Sequence, residues 1–439
     1  MNLNATLTAR AQAISYLERW YVLVVMCTVY AVNIGARYVV TTVFEPIRIE
    51  LRLSDAGAAF LTGVPLALFY VAFGIPVAWL ADRWNRRNIL GLSLLVWSAF
   101  SVCCGLASNY WQLLLARIGV GLGEAGATPA STAIVSDYFP ASRRPMALTV
   151  LSLGAPIGAW LGADFAGGIA QAYGWRAAFY GLGVPGVLVG LLVLTTVGEP
   201  ARGQLDVLQG NVKASMSESL AFLWRQRAAL HVIFGAGVCS LWGWGLVWWM
   251  PTFLMRTYQL NVGQAGAITG HIHLVGGILA TLGTAWLMSR RSMVDPRRVL
   301  WTLAAGIACC TIPSYVAFWT QSLPVAKVMF WLFIPAIYFF IGPCMGLVLN
   351  LAPSHMRSTF TAWSVLVGNV FNLILAPQAV GFLSDWFSAG RGADAASLRL
   401  ALLFLAPTGF WAAWHFCRAA RTMVADQERA LGYVQEAGV

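Results

Sequence analysis

Apolar residues run in long blocks along this chain, and polar positions are confined to short gaps between them. Twelve blocks have the roughly 20 residues that an α-helix needs to cross a bilayer core. They centre near Val29, Ala67, Val96, Gly123, Gly158, Val187, Trp244, His273, Ile307, Tyr338, Gly368 and Leu405. The first begins near Trp20 behind a polar leader containing Arg10, Glu18 and Arg19 and ends without a small-residue cleavage site, so it reads as a retained helix rather than a signal peptide. Between Gly198 and Ala228 the apolar pattern stops and Arg202, Asp206, Lys213, Glu218, Arg225 and Arg227 appear. The pattern predicts an all-α membrane protein with twelve transmembrane helices in two pseudo-symmetric six-helix bundles. Residues 1–200 and 229–439 would form the bundles, with residues 201–228 as the linker. Inside the linker, Ser215 and Glu218 have capping-box spacing ahead of the amphipathic run Leu220–Trp224, which predicts a short interfacial helix. A tether between moving halves and a plain connector are both open readings of it.

The two halves echo one another. LRLSDAGAAFLTG, from Leu51, aligns with YQLNVGQAGAITG, from Tyr258, pairing Leu53 with Leu260, Thr62 with Thr269, Gly63 with Gly270 and, further on, Arg83 with Arg290. Duplicated bundles of this kind imply a rocking transporter with its substrate site near the midplane.

Composition agrees with the pattern. The 439 residues are 59% hydrophobic and only 10% charged, against about 25% in soluble domains, and the mean hydropathy is +0.70. A net charge of +11 raises the question of nucleic acid. The basic residues, however, gather in the loops that alternate helices place on one face, among them Arg83, Arg86, Arg87, Arg143, Arg144, Arg290, Arg291, Arg297, Arg298, Arg418 and Arg421. That asymmetry is the positive-inside rule; it predicts cytoplasmic termini and needs no nucleic-acid partner. The 8 cysteines sit in apolar runs without metal-ligand spacing and read as reduced packing residues. No metal or cofactor is expected.

Charges inside the apolar runs are the chemical signal. Arg117 and Glu124 lie seven residues apart in the fourth block, on one helix face and roughly 10 Å apart along the axis. Such charges are costly in lipid and normally face a cavity or a protein interior. Arg37 in the first block lies at a similar height, with Asn33 one turn below it. Converging faces would make a pocket with two positive charges and one negative, suited to an anionic head group held by guanidinium forks. Glu124 could stay ionised against Arg117 or take a proton when buried, so Glu124 and Arg117 are the candidate coupling pair; a purely structural ion pair is the competing reading. In the second half, LWGWGLVWWMP supplies Trp242, Trp244, Trp248 and Trp249, and Asn350, Asn369, Asn372 and Gln378 follow in the tenth and eleventh blocks. Trp244 with Asn350, Asn369 and Asn372 would form an aromatic, neutral wall; an interfacial tryptophan belt is an equal reading. His271 and His273 fit hydrogen-bonded packing better than proton carriage. Asp164 is a weaker acidic candidate near the outer end of the fifth block. Gly154, Gly158 and Gly162, and Gly119 with Gly123, recur at fourfold spacing, which permits close helix approach.

The loop AWLADRWNRR, Ala78 to Arg87, resembles the signature loop of the major facilitator superfamily, with Leu80, Ala81, Asp82, Arg83, Arg86 and Arg87 matching and Ala78 and Asn85 replacing its two glycines. A carboxylate there can cap a neighbouring helix, and the arginines can pair with acids at helix ends, Asp137 being the nearest by sequence. Asp82, Arg83, Arg86, Arg87 and Asp137 are therefore the expected conformational latch. RIGVGLGEAGATPASTAIVSDYFPASRRPMAL from Arg117, GWRAAF at Gly174, EPARG at Glu199 and NIGARYVVTTVFEPIRIELRLSD in and after the first block resemble the spinster branch, most closely over about residues 32–203. The resemblance implies the major facilitator fold and export of lysophospholipids or sphingoid lipid phosphates, with organic-anion transporters as near relatives. The family's aspartate ahead of the first-block arginine is replaced by Ala36, which leaves Glu124 as the mid-membrane acid of the first half.

The sequence thus predicts a secondary transporter of an anionic amphiphile working by alternating access and linked to protons. A proton-coupled symporter of a hexuronate or aromatic carboxylate is the alternative. No H-E-x-x-H, paired membrane aspartates or G-x-S-x-G supports an intramembrane enzyme, and no nucleotide-binding loop supports a pump. The expected setting is a monomer in a bacterial inner membrane, with the bilayer, a small-molecule substrate and protons as partners.

Overall fold

Helix follows helix from Tyr16 to Glu436, with no strand among the described residues. The structure is a computed structural model and describes residues 15–81, 84–140, 143–199, 216–353 and 356–436. Ten helical stretches among these are long and apolar enough to cross a bilayer. They are Tyr16–Thr42, Arg86–Leu106, Met146–Tyr173, Trp175–Thr196, Arg227–Tyr258, Val262–Met288, Pro296–Trp319, Leu323–Asn350, Thr359–Ser388 and Ala395–Gly432. The second predicted span is helix Asp55–Ala81. The fourth is present but broken into Tyr110–Glu124 and Ala127–Tyr138. These twelve spans are numbered in chain order below. A helix runs over Met216–Arg225, while linker residues 201–215 lie outside the described residues.

Polar side chains set where helices begin. The Asn85, Asn109 and Asn261 side chains accept from the backbone N–H three residues on, and Asp394 does the same for Ser397. Each satisfies a donor that a helix start leaves without a partner. Prolines account for the interior breaks. Pro129 lacks an N–H, so the Ala125 carbonyl loses its helical donor and the fourth span breaks at Ala125–Gly126, just after Glu124. Three π-turns, Leu161–Phe165, Ile272–Gly276 and Val370–Leu375, interrupt the fifth, eighth and eleventh spans.

The chain forms two compact units. The first contains residues 1–53, 60–209 and 259–278; the second contains 54–59, 210–258 and 279–439. In the first, the fifth span lies directly on the first. A Cβ at Gly154, Gly158 or Gly162 would stand 2.7, 2.3 and 2.3 Å from the carbonyls of Cys27, Ala31 and Gly35. Both helices thus present small groups every fourth residue, and backbones meet where side chains would otherwise hold them apart. In the second unit, the 32-residue seventh span forms the centre. Trp242 donates to Ser314 Oγ at 3.0 Å and Trp249 to the Pro377 carbonyl at 3.3 Å. Both tryptophans are fully buried with their N–H groups satisfied, so neither belongs to an interfacial belt.

The internal repeat reaches the backbone. Arg52 and Gln259, 207 positions apart as in the alignment, both take positive φ, 53° and 54°. Two residues later Ser54 and Asn261 cap the next helix by accepting from Gly57 and Gln264 N–H.

Candidate functional site

In the first unit the first and fourth spans bring Arg37 and Glu124 together. Arg37 donates from Nε at 3.0 Å and Nη2 at 2.8 Å, both to Glu124 Oε2. The Glu124 side chain is 0% exposed and that of Arg37 16%. Both donors use one carboxylate oxygen. Glu124 Oε1 is buried and has no hydrogen-bond partner among the described residues. One turn below Arg37, the buried Asn33 likewise has an unpartnered Nδ2. A buried acceptor without a donor costs about 1–3 kcal/mol, so Glu124 Oε1 and Asn33 Nδ2 are two costly open hydrogen-bonding positions beside the pair.

Arg117 corrects the expected pairing. It is 2% exposed, and it donates from Nε to the Leu61 carbonyl at 3.3 Å and from Nη2 to the Thr62 carbonyl at 3.2 Å. Glu124 and Arg37 remain within its electrostatic reach, but no hydrogen bond joins Arg117 to Glu124. The reason is local. The helical donor for the Leu61 carbonyl would be residue 65, and residue 65 is proline. Arg117 supplies the missing N–H, which leaves Glu124 to Arg37. In the repeat alignment Pro65 corresponds to Ile272, where the π-turn of the eighth span begins. Both helices therefore lose regular i to i+4 bonding at the same place.

Beside this site, Tyr38 Oη lies 3.3 Å from His273 Nε2, and their rings meet edge-on at 5.0 Å. His273 is fully buried. Asp164 on the fifth-span π-turn accepts from Trp160 Nε1 at 2.8 Å and lies 3.5 Å from His271 Nδ1.

In the second unit, Trp248 donates to Asn372 Oδ1 at 2.8 Å, and Trp244 stacks on Trp248 at 5.4 Å and meets Tyr338 edge-on at 6.2 Å. Trp244 and Asn372 thus belong to one aromatic and amide cluster. Asn350 is exposed at the end of the tenth span, and Asn369 is half-buried just before the π-turn of the eleventh. Neither shares a hydrogen bond with that cluster among the described residues.

Two of the residues expected to form a latch meet in the structure. The Arg86 guanidinium bonds Asp137, and both are largely buried. Arg87 turns instead to the Asn88 side chain at 2.9 and 3.0 Å. Asp82 and Arg83 lie outside the described residues. Glu199 was missed by the sequence reading. Its two oxygens accept from Arg86 and Arg87 N–H at 2.8 Å each, capping the third span from the end of the sixth. A second missed cluster lies in the second unit. Asp55, fully buried, takes a two-pronged bond from Arg256 at 2.7 and 2.8 Å and a third from Ser384 Oγ at 2.6 Å. Asp385 in turn accepts from the N–H groups of Asp55 and Ala56 at 3.0 and 2.9 Å. The visible signal was the helix-start dipeptide Ser54–Asp55; nothing in the sequence pointed from it to positions 256 or 385. No group of three or more potential metal ligands occurs among the described residues.

Residues 26–377 match the model of the Major Facilitator Superfamily. An MFS-type efflux pump of Mycolicibacterium smegmatis is 30% identical over 88% of this chain and 89% of its own. The sphingosine-1-phosphate transporter SPNS2 of Danio rerio is 26% identical over 80% and 73%, and a probable L-galactonate transporter of Escherichia coli 27% over 82% and 83%. Among solved structures, a bacterial homolog of the human lysosomal transporter Spinster, inward-facing and unoccupied, superposes with a TM-score of 0.84 at 28% identity, covering 94% of this chain and 99% of that one.

Proposed function

From the premise that the chain belongs to the Major Facilitator Superfamily and is spinster-like, we propose that it moves an anionic amphiphile by alternating access, with Glu124 as the proton-coupling acid. One observation carries this reading: a buried Arg37–Glu124 pair in which one carboxylate oxygen lacks a donor. Arg37 is the group that an incoming phosphate or carboxylate would draw away, because guanidinium pairs with such anions in forked geometry. Once Arg37 turns to the substrate, Glu124 is left as a buried carboxylate without its cation, and a proton is what restores neutrality there. Oε1 is the open acceptor on that carboxylate, and Asn33 Nδ2 is an open donor one turn from Arg37. Arg117, held by the Leu61 and Thr62 carbonyls, keeps the site electropositive through the exchange.

The second unit supports an amphiphile over a compact sugar acid. Trp244, Trp248 and Tyr338 pack into one aromatic cluster, and the Asn372 side-chain oxygen already holds the Trp248 N–H. A polyhydroxylated substrate would want free hydrogen-bonding groups there. The SPNS2 relative is named for a lipid phosphate, in keeping with this reading. The L-galactonate relative favours the second reading, a small organic-anion symporter sharing the same Arg37–Glu124 device.

Both readings are tested in liposomes with labelled lysophosphatidate, lysophosphatidylcholine and galactonate, with and without a pH gradient. Wild-type protein should move lysophosphatidate in response to the gradient. Glu124→Gln should lose that response by roughly 100-fold or more, and Arg37→Ala should reduce anionic transport more than zwitterionic. Gradient-driven galactonate uptake without lysolipid movement would establish the second reading. An unchanged pH response in Glu124→Gln would overturn the coupling assignment.

A further inference from the structure

Away from that site, the seventh and twelfth spans build a second cluster. His231 Nδ1 and His415 Nδ1 are 3.0 Å apart, with ring centroids at 5.2 Å. The two helices come this close at Gly235, where a Cβ would stand 3.0 Å from the His415 Cβ. Trp414 meets both imidazoles edge-on, at 5.8 and 4.9 Å. Trp411 lies 5.8 Å from His415, and Phe234 stacks on it at 6.5 Å. Phe234, Trp411 and Trp414 are 38, 48 and 50% exposed, whereas both histidines are half-buried. Arg418, exposed, places its guanidinium carbon 5.9 Å from the Trp414 ring and acts electrostatically on His231. Arg227, one turn from His231, and Arg421, one turn from Arg418, are exposed as well.

We propose that the His231–His415 pair, Arg418 and the flanking Trp411, Trp414 and Phe234 form a binding site for an anionic bilayer phospholipid, with its phosphate on the histidines and guanidinium and its acyl chains along the aromatic wall. The pair offers an anion one N–H donor, and Arg418 supplies the charge. In a contact between two Nδ1 atoms one ring donates and the other accepts. The accepting ring therefore carries its proton on Nε2 and is the outward N–H donor of the pair, while the donating ring keeps Nε2 as an acceptor. The histidines lie about one helical turn inward of Arg227 and Arg418, and basic residues at the end of a span attract anionic head groups. The exposed tryptophans have the amphipathic character of residues at that level. Charge sets the identity of the head group, since Arg227 shares a helix face with His231 and Phe234, and Arg418 and Arg421 share one with Trp411 and Trp414, all three arginines being exposed.

Delipidated protein in detergent is offered phosphatidylglycerol and phosphatidylcholine with identical acyl chains, and retained lipid is counted by native mass spectrometry. Wild-type protein should prefer phosphatidylglycerol by about fivefold, the fold-change expected for one basic group near a membrane surface. Arg418→Gln and His231→Gln/His415→Gln should bring the preference near parity, whereas Arg418→Lys keeps most of it. Arg143→Gln, an exposed arginine of the first unit, should leave it unchanged. Should the double histidine variant fail to fold, the surface pair Arg418→Gln and Arg418→Lys still decides the matter. Equal retention of the two lipids by wild-type protein overturns the proposal, as does an equal loss in Arg143→Gln. Displacement of phosphatidylglycerol by millimolar inorganic phosphate overturns it too, because the site would then serve free phosphate rather than lipid.

Discussion

At the scale of single residues, partners were harder to foresee than positions. Arg37, Asn33, Arg117 and Glu124 were legible because charged and amide groups are rare in apolar helices. Which arginine holds Glu124 was not, since that depends on Pro65, 52 residues before Arg117, freeing a carbonyl that only the folded structure brings near. Arg117→Met should cost about 1–3 kcal/mol by leaving the Leu61 carbonyl unsatisfied. Pro65→Ala restores a backbone N–H at residue 65, so in that background the same change should cost less. A double-mutant cycle on thermal unfolding in detergent measures the difference, and strict additivity would show that Arg117 is not the substitute donor. Asp55 gives a second test. It is fully buried and its counter-charge is Arg256, 7% exposed at its side chain. Arg256→Ala strands that carboxylate and should destabilise by roughly 3–5 kcal/mol, more than the paired neutral variant Asp55→Asn/Arg256→Gln.

At the scale of elements, small residues and acids at helix ends do most of the placing. The Gly154, Gly158 and Gly162 ladder was readable as a close-packing face, and its partner proves to be Cys27, Ala31 and Gly35 on the first span. Gly158→Leu drives a side chain into the Ala31 carbonyl, 2.3 Å from even a Cβ. Overpacking of this kind costs about 1–3 kcal/mol or more, and here it also shifts the helix carrying Arg37. The variant should therefore melt earlier and lose substrate binding, while Gly168→Ala, with open space around its Cβ, should do neither. The π-turns were not legible, because a single inserted residue leaves the apolar period intact over such short runs. The start of the sixth span shows how an acid serves an element. Glu50 accepts from Trp175 Nε1 at 2.7 Å and pairs with Arg176 at 2.7 Å. The Arg176 guanidinium, then the indole N–H, hold its carboxyl below the usual glutamate range. A lowered value favours the folded state above the ordinary range near 4.5, and that contribution fades as pH falls toward the lowered value. Glu50→Gln should lower the melting temperature at neutral pH, and its deficit against wild type should shrink below about pH 4.5, as read from melting temperature across pH.

For the whole molecule, helix number and repeat were legible because each span must satisfy its own backbone and therefore reads as one apolar block. The duplication survives where turn geometry demands it. Arg52 and Gln259 share a left-handed conformation that ordinary side chains rarely adopt, followed by a helix cap in both copies. Orientation rests on charge alone. Arg143, Arg144, Arg290, Arg291, Arg297 and Arg298 fall in loops that alternate helices assign to one face, and the positive-inside rule predicts that this face is cytoplasmic. The rule can be tested with single cysteines on a cysteine-free background and a membrane-impermeant maleimide applied to intact cells. Ser108 and Ser322, exposed in the turns after the third and ninth spans, should label from outside when changed to cysteine. Ser292, exposed between the eighth and ninth spans, should label only after the membrane is opened. The inverse pattern would reverse the topology. It would also place the His231–His415 edge against the outer leaflet, so that its anionic lipid would have to come from there.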